Sequence, residues 1–358
     1  MKTREKAIGA VSLALLVGLA TPSHAAKYKI RWLLGHQNLD YFEEAADNFK
    51  KTVEAGSHGD IQVEVVTARD NSLETKTAGK GLPEIAVKVE NGEAEMGHSF
   101  VDVMGAVDNR LYAFEAPYLF RDYSHMEGVF EGPVGNQMLS DLRSHHIVGL
   151  SFTYSGGASG VAANREIRRP EDLKGLKIGV FGDPVDEAWL RGLGATPVPL
   201  AHELTMISSM ARDGSIDGVV ITWRNFEREA LNKEFKYVNL MNSTYLVSVT
   251  YVNEKFFAGL PKEYQKLLED ATRSTGRIER AKTIELNAAA KRSMLTKGVR
   301  EVFLTGQDRK DFAQALKPAY EQTIDKVLGK GLIERIKKTG DGSGQPAVPG
   351  DIASNSLP

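Results

Sequence analysis

From Pro261 to about Lys297 the chain contains, beyond that first residue, no proline and only one glycine, Gly276. The stretch is rich in Ala, Glu, Lys, Arg and Leu, all strong helix formers. It reads as one very long helix, or as two broken near Gly276. At about 1.5 Å per residue such a rod outruns a single compact lobe. The chain therefore has to offer two bodies for it to cross, and 358 residues are enough for about two domains.

Ahead of the rod, short strand-like runs alternate with amphipathic helices, which predicts an α/β fold. Tyr28 to Leu34 reads as the first buried strand. Phe42, Ala45, Ala46, Phe49 and Val53 recur at helical spacing up to Gly56. Ile61, Val63 and Val65 alternate with Gln62 and Glu64, a period of two. Pro83 to Val89 fits a short helix, and 94–99 a strand. Further strands are expected at 176–181, 217–222, 237–240 and 246–253, and helices at 184–193 and 203–212. Val302–Leu304 suits a last strand and Asp308–Gly329 a closing helix. The Gly/Pro/Ser-rich end of the chain reads as a flexible tail.

Residues 1–25 read as an address. Lys2, Arg4 and Lys6 precede a 14-residue apolar run, Ala7 to Ala20, and Ser23-His24-Ala25 supplies small residues at the two positions a signal peptidase reads. The run is too short to span about 30 Å of hydrocarbon. Cleavage after Ala25 would leave 333 residues with a net charge of about −4 in the periplasm. The 45 basic and 47 acidic residues of the whole chain nearly cancel, so nothing attracts a nucleic-acid backbone. Cysteine is absent, which removes disulfides, thiolate metal sites, cysteine nucleophiles and lipoprotein anchoring.

Catalytic signatures are missing as well. There is no P-loop, and no GxGxxG follows a strand. His202-Glu203 continues Leu204-Thr205-Met206, so zinc-protease spacing fails. Gly157-Ala158-Ser159-Gly160 is one residue short of a nucleophile elbow. His145-His146 reads as a surface pair. Carboxylates are plentiful, but none stands out as a pair in an apolar setting. No catalytic residue, metal or cofactor is expected.

Four segments resemble one family, the solute-binding proteins of tripartite ATP-independent periplasmic (TRAP) transporters. They are RPEDLKGLKIGVFGDPVDEAWLRGLGATPVPL at 169–200, the helix-to-strand passage Met210–Gly218, ENGEAEMG followed by APYLF and Gly132-Pro133-Val134-Gly135 between 90 and 135, and the long helix. The resemblance spans about 27–335. It implies a two-lobed periplasmic binding fold with hinge strands, a ligand cleft, and the long helix bracing both lobes. Carried over, the signal peptide is 1–25, lobe one is 26–150 plus 241–280, lobe two is 151–240 plus 281–335, and the tail is 336–358.

The pattern departs from the family at its usual acid clamp. The arginine expected after Leu176-Lys177-Ile178 is Gly179. Counting back five from Asn164 to a second arginine position gives Ser159, and Asp217-Gly218 continues Val219-Val220-Ile221 rather than Gln-Glu-Asn. A replacement cation is therefore sought just past the strand ending at Thr222. Arg224 offers a bidentate fork for a carboxylate, against a plain reading as a solvated helix-start charge. Trp223 would stack on the ligand, or simply fill core. Phe181 and Asp183 end the strand carrying Gly179, where Asp183 doubles as a helix N-cap. His98 and Ser99 end a lobe-one strand, His36 and Asn38 follow the first strand, and Arg69 follows the strand ending at 65–67. Tyr154 completes the candidate ligand set, with Asn253 a further guess.

The resemblance implies a monomeric receptor, not an enzyme, that captures a small polar organic acid and delivers it to the membrane subunits of a transporter. Readings held beside it are a sensor subunit presenting ligand to a membrane receptor, and a periplasmic hydrolase or lyase on a binding-protein fold.

Overall fold

The structure is a computed structural model that describes residues 25–35, 40–67, 82–200, 204–241, 244–329 and 331–339. The expected signal peptide, His36, Asn38, Arg69 and the tail beyond Thr339 lie outside the described residues. Ten strands occur among the described residues. They are β1 (Tyr28–Leu34), β2 (Ile61–Val66), β3 (Met96–Phe100), β4 (Ile147–Ala163), β5 (Lys177–Val180), β6 (Thr196–Pro199), β7 (Gly218–Thr222), β8 (Tyr237–Leu240), β9 (Tyr245–Asn253) and β10 (Arg300–Phe303).

Two sheets share one strand. In the first the order is β2-β1-β3-β9-β4, with β1 parallel to β2 and β3, and β9 antiparallel to β3 and β4. The end of β1 is buried on both faces, with Ile30, Trp32 and Leu34 in one core cluster and Leu33 in another, whereas β2 buries Ile61 and Val63 and exposes Gln62 and Glu64. In the second sheet Ser159–Ala163 of β4 pair with β7, and Val161–Ala163 also pair with β8. β5 and β6 extend it beside β7, and β10 runs parallel to β8. The change of partner along β4 falls between Tyr154 and Ser159, a little beyond the expected boundary at 150.

β4 is the longest strand, yet 147–163 carry no strand assignment in the sequence reading. Gly156, Gly157 and Gly160 interrupt its apolar run and look like a loop. The reason lies in packing. A Cβ at Gly160 would stand 2.7 Å from the Asn239 carbonyl oxygen, and one at Gly156 would stand 2.8 Å from Thr222 Cγ2. These glycines let neighbouring strands approach; they do not end β4.

The long helix is one piece, Lys262–Thr296, unbroken at Gly276. Its buried stripe recurs every three or four residues, from Leu268 through Thr272, Gly276, Glu279 and Thr283 to Met294. Leu268 and Ala271 join the core cluster of β1, whereas Ala290 and Met294 join that of β7 and β8. The helix thus crosses both sheets over about 50 Å.

The C-terminal segment packs back on 114–130: Ile324, Leu328, Leu332 and Ile333, from the stretch expected in lobe two, and Ile336 beyond it meet Phe114, Phe120 and Phe130. His125 Nε2 and the Ile336 carbonyl oxygen, 3.0 Å apart, and the Arg121 guanidinium and the Lys337 carbonyl oxygen, 2.9 Å apart, tie it there. A further helix, Leu332–Lys338, runs past the expected start of the tail at 336. No helix among the described residues is long and apolar enough to cross a membrane.

Candidate functional site

Where the two sheets meet, a buried cavity is lined from both sides. Asp102, in the helical turn Val101–Met104, and Glu115, at the end of the turn Asn109–Glu115, come from the segment following β3. Phe181, Asp183 and Asp186 come from the passage out of β5, and Ser159, Thr222 and Asn225 from β4, β7 and the helix Trp223–Arg228. Thr244, Tyr245 and Leu246 close it at the start of β9. The space between these residues is about 20 Å³, room for about one water molecule. A wider groove, lined by Asn91, Glu95, His146 and Phe256, lies on lobe one alone.

The chemistry of the cavity is acidic. Carboxylate oxygens of Glu115, Asp183 and Asp186 lie within 4.8 Å of one another, and all three residues are buried. Local structure fixes two of them. Asp183 is the N-cap of the helix Pro184–Gly192, its Oδ1 accepting from the Val185 and Asp186 amides at 2.8 Å. Asp186, three residues on, lies on the same face, and its Oδ1 accepts from Trp189 Nε1 at 2.7 Å. Glu115 Oε1 is buried with no hydrogen-bond partner.

Burial, and then the neighbouring carboxylates, push Glu115 and Asp183 well above the usual carboxyl range. Asp186 rises to about 6, chiefly from burial, with the Trp189 donor holding it down. Tyr112 is pushed up to about 12 by burial, then by Asp183 and Asp102. The reading that no carboxylates pair in an apolar setting is therefore corrected. Glu115 is far in sequence from Asp183 and Asp186, so only the fold assembles the group. A charged residue inside the apolar run LYAFEAPYLF was the available signal.

Of the candidates named from sequence, Phe181 and Asp183 line the cavity, and Asp183 also caps its helix. Ser159, the position reached by counting back from Asn164, lines it too. The other described candidates lie elsewhere. Arg224 is turned along its helix: its guanidinium donates to Glu227 Oε2 at 3.1 Å, and its amide to Asn287 Oδ1 on the long helix. The neighbouring Asn225, not Arg224, reaches the cavity. Trp223 is buried in core and meets Phe226 edge-on. His98 Nδ1 is 2.7 Å from Thr250 Oγ1, with its ring against Phe42, and Ser99 Oγ is 2.9 Å from the Tyr251 hydroxyl. Both are held inside the first sheet because β3 is flanked by β1 and β9. Tyr154 is fully buried beside Tyr123 and Phe130. Asn253 caps the helix Glu254–Gly259.

Two sheets joined by crossing strands, a cavity lined from both sides and a helix spanning the pair define a two-lobed binding protein. The family model described as "Bacterial extracellular solute-binding protein, family 7" (DctP) matches residues 35–326, and the chain belongs to that family, the TRAP solute-binding proteins. The family is one of binding proteins, not of enzymes.

Among its relatives, the C4-dicarboxylate-binding periplasmic protein DctP of Rhodobacter capsulatus is 28% identical over 63% of this chain and 66% of its own length. The 2,3-diketo-L-gulonate-binding periplasmic protein YiaO of Escherichia coli is 24% identical over 86% of this chain and 90% of its own. A TRAP periplasmic solute-binding protein from Ochrobactrum anthropi superposes with a TM-score of 0.79 at 21% identity, covering 87% of this chain and 94% of that one. Another, from Roseobacter denitrificans with bound β-D-glucuronate, gives 0.75 at 20% identity, covering 87% and 99%. These structures share the fold.

Proposed function

We propose that the chain is the periplasmic receptor of a TRAP-type transporter, capturing a small polar organic acid between its lobes and delivering it to the membrane subunits. One observation carries the reading: Glu115 from one lobe meets Asp183 and Asp186 from the other inside a buried cavity. A polar locus shared by two lobes is what a closing receptor needs, since it exists only while the lobes are together. The acids named for the relatives, C4-dicarboxylates, 2,3-diketo-L-gulonate and glucuronate, supply the ligand class. Phe181, Asp183, Ser159, Thr222 and Asn225 are the proposed contacts on lobe two, and Glu115 and Asp102 those on lobe one.

The test is a thermal-shift screen of C4-dicarboxylates, hexuronates and aldonates on the exported protein, because a ligand that binds only the folded state raises its melting temperature by mass action. A rise of several degrees for one acid class is expected, together with a smaller radius of gyration by small-angle scattering. No acid shifting the melting point, with an unchanged scattering profile, overturns the reading.

A further inference from the structure

We propose that Glu115, Asp183 and Asp186 form a site for a hard divalent cation of the calcium class, which completes the solute pocket. The inference rests on the receptor reading above and names what lets an acid enter an acidic cavity. Among the described residues lining that cavity, none is Lys, Arg or His. An organic anion placed there would find no counter-charge among those residues, and three acidic side chains that can face it only while protonated. A divalent cation reverses the sign of the site.

The geometry suits one ion. Calcium binds oxygen ligands at about 2.3–2.6 Å, so two ligands on opposite sides of it stand about 4.8 Å apart, and every pair within its shell is closer. The three carboxylates fall inside that limit. The space of about 20 Å³ between them is enough for one ion. An all-oxygen donor set selects calcium, magnesium or manganese over softer metals.

Two further features point at a missing ligand. Glu115 Oε1 is buried and unpartnered in a residue only 6% exposed, and it faces this cavity. On the other lobe, one oxygen of each aspartate is already engaged: Asp183 Oδ1 by two backbone amides and Asp186 Oδ1 by the Trp189 indole. Outer hydrogen bonds of this kind orient a carboxylate so that its second oxygen serves a metal. Three carboxylates leave a calcium-class ion short of its six to eight oxygens, and the solute's carboxylate or hydroxyl groups would fill the remainder. The ion would then tie lobe one to lobe two through the ligand.

The experiment uses the full exported chain, stripped with EDTA and dialysed. Melting temperature and calorimetric heat are measured with CaCl2, MgCl2 or MnCl2 alone, and then with the acid found by screening. At least one metal is expected to give a saturable rise of several degrees without solute, and to tighten the acid at least tenfold. Glu115→Gln and Asp186→Asn keep shape and remove charge. They are expected to fold, with metal-free melting points equal to or above that of the parent, and to lose the metal-induced rise. An acid that binds equally well in EDTA, with no response to any metal at 10 mM, overturns the cation while leaving the receptor reading intact. Tight binding of an amine-bearing solute in EDTA overturns it too, since the carboxylates would then serve an ammonium group. A metal response that survives both substitutions places the ion elsewhere and also overturns the assignment. A metal response lost in both variants, with no acid binding under any condition, supports the ion and counts against the receptor reading instead.

Discussion

Ser155 of β4 donates to Glu279 of the long helix across 2.6 Å, and the same hydroxyl lies 3.3 Å from Ser248 of β9. A carboxyl on the brace is thereby joined to the shared strand β4 and to its neighbour β9 where the sheets part. Burial raises Glu279 to about 8 from an ordinary 4.5, against the pull of Ser155, Thr153 and Arg280. The folded state therefore holds a proton that the unfolded state has released between about pH 4.5 and 8. Stability falls as pH rises through that window, and the loss is complete above about pH 8.

Glu279→Gln removes this titration. Its melting point relative to the parent is expected to improve from pH 5 to about pH 8 and then level off, by an amount set by about 1.4 kcal/mol per pH unit in that window and softened by the lost acceptor. Thermal denaturation at both pH values checks it. A variant that is less stable by the same margin at each pH would show that Glu279 is ionised in the fold.

Gly276 sits mid-helix, where glycine costs about 0.5–1 kcal/mol relative to alanine. A Cβ there would meet nothing closer than 3.5 Å, the nearest atoms being Arg280 Nη1, the Phe152 carbonyl oxygen and Ser151 Oγ. Gly276→Ala is expected to raise stability by about 0.5–1 kcal/mol, read from urea denaturation. A loss would mean that helix and β4 approach too closely to admit even a methyl group.

Asn225 and Arg224 are adjacent, yet only Asn225 lines the cavity. Asn225→Ala is expected to weaken the acid found by screening about tenfold, the worth of one hydrogen bond. Arg224→Ala should change its affinity less than threefold. Calorimetry on the pair decides between them, and a hundredfold loss for Arg224→Ala would return the clamp role to the guanidinium.

These two residues show how far sequence reaches. The segment after β7 was legible because strand ends collect ligands in α/β folds. The direction each side chain takes was not, because it depends on the helix turn that Thr222 caps and on Asn287 far along the chain. The long helix and β1 were legible from composition and local periodicity alone. β4 was hidden because its glycines answer to Asn239 and Thr222 on other strands.

Gly179 illustrates the same limit at the site. In sequence it is an arginine position left empty. In the fold its open face is filled, since a Cβ would stand 3.1 Å from Leu200 Cδ2, and Leu200 is buried in the core beside β7. Gly179→Arg is therefore expected to destabilise by at least about 1–3 kcal/mol through overpacking, without strengthening acid binding. A stable, tighter-binding variant would show that Leu200 yields.

Trp189 controls Asp186. Its indole donates to Oδ1 at 2.7 Å, and this bond opposes the burial that lifts Asp186 to about 6. Trp189→Phe keeps a ring in the core but withdraws the donor, so the folded pKa of Asp186 should move further above 6. The cavity left by the smaller ring costs the same at every pH. The electrostatic part does not: at pH 5 Asp186 is largely protonated in parent and variant alike, whereas at pH 8 the parent carries an ionised, bonded carboxylate and the variant an ionised, unbonded one. In EDTA the stability deficit of Trp189→Phe is thus expected to be larger at pH 8 than at pH 5, by about 1–3 kcal/mol for a buried acceptor left unsatisfied. In an Asp186→Asn background that dependence on pH should vanish. Denaturant titrations of the four proteins at the two pH values measure it. An equal deficit at both pH values would mean that the indole only fills space, and that the carboxylate is held by something else.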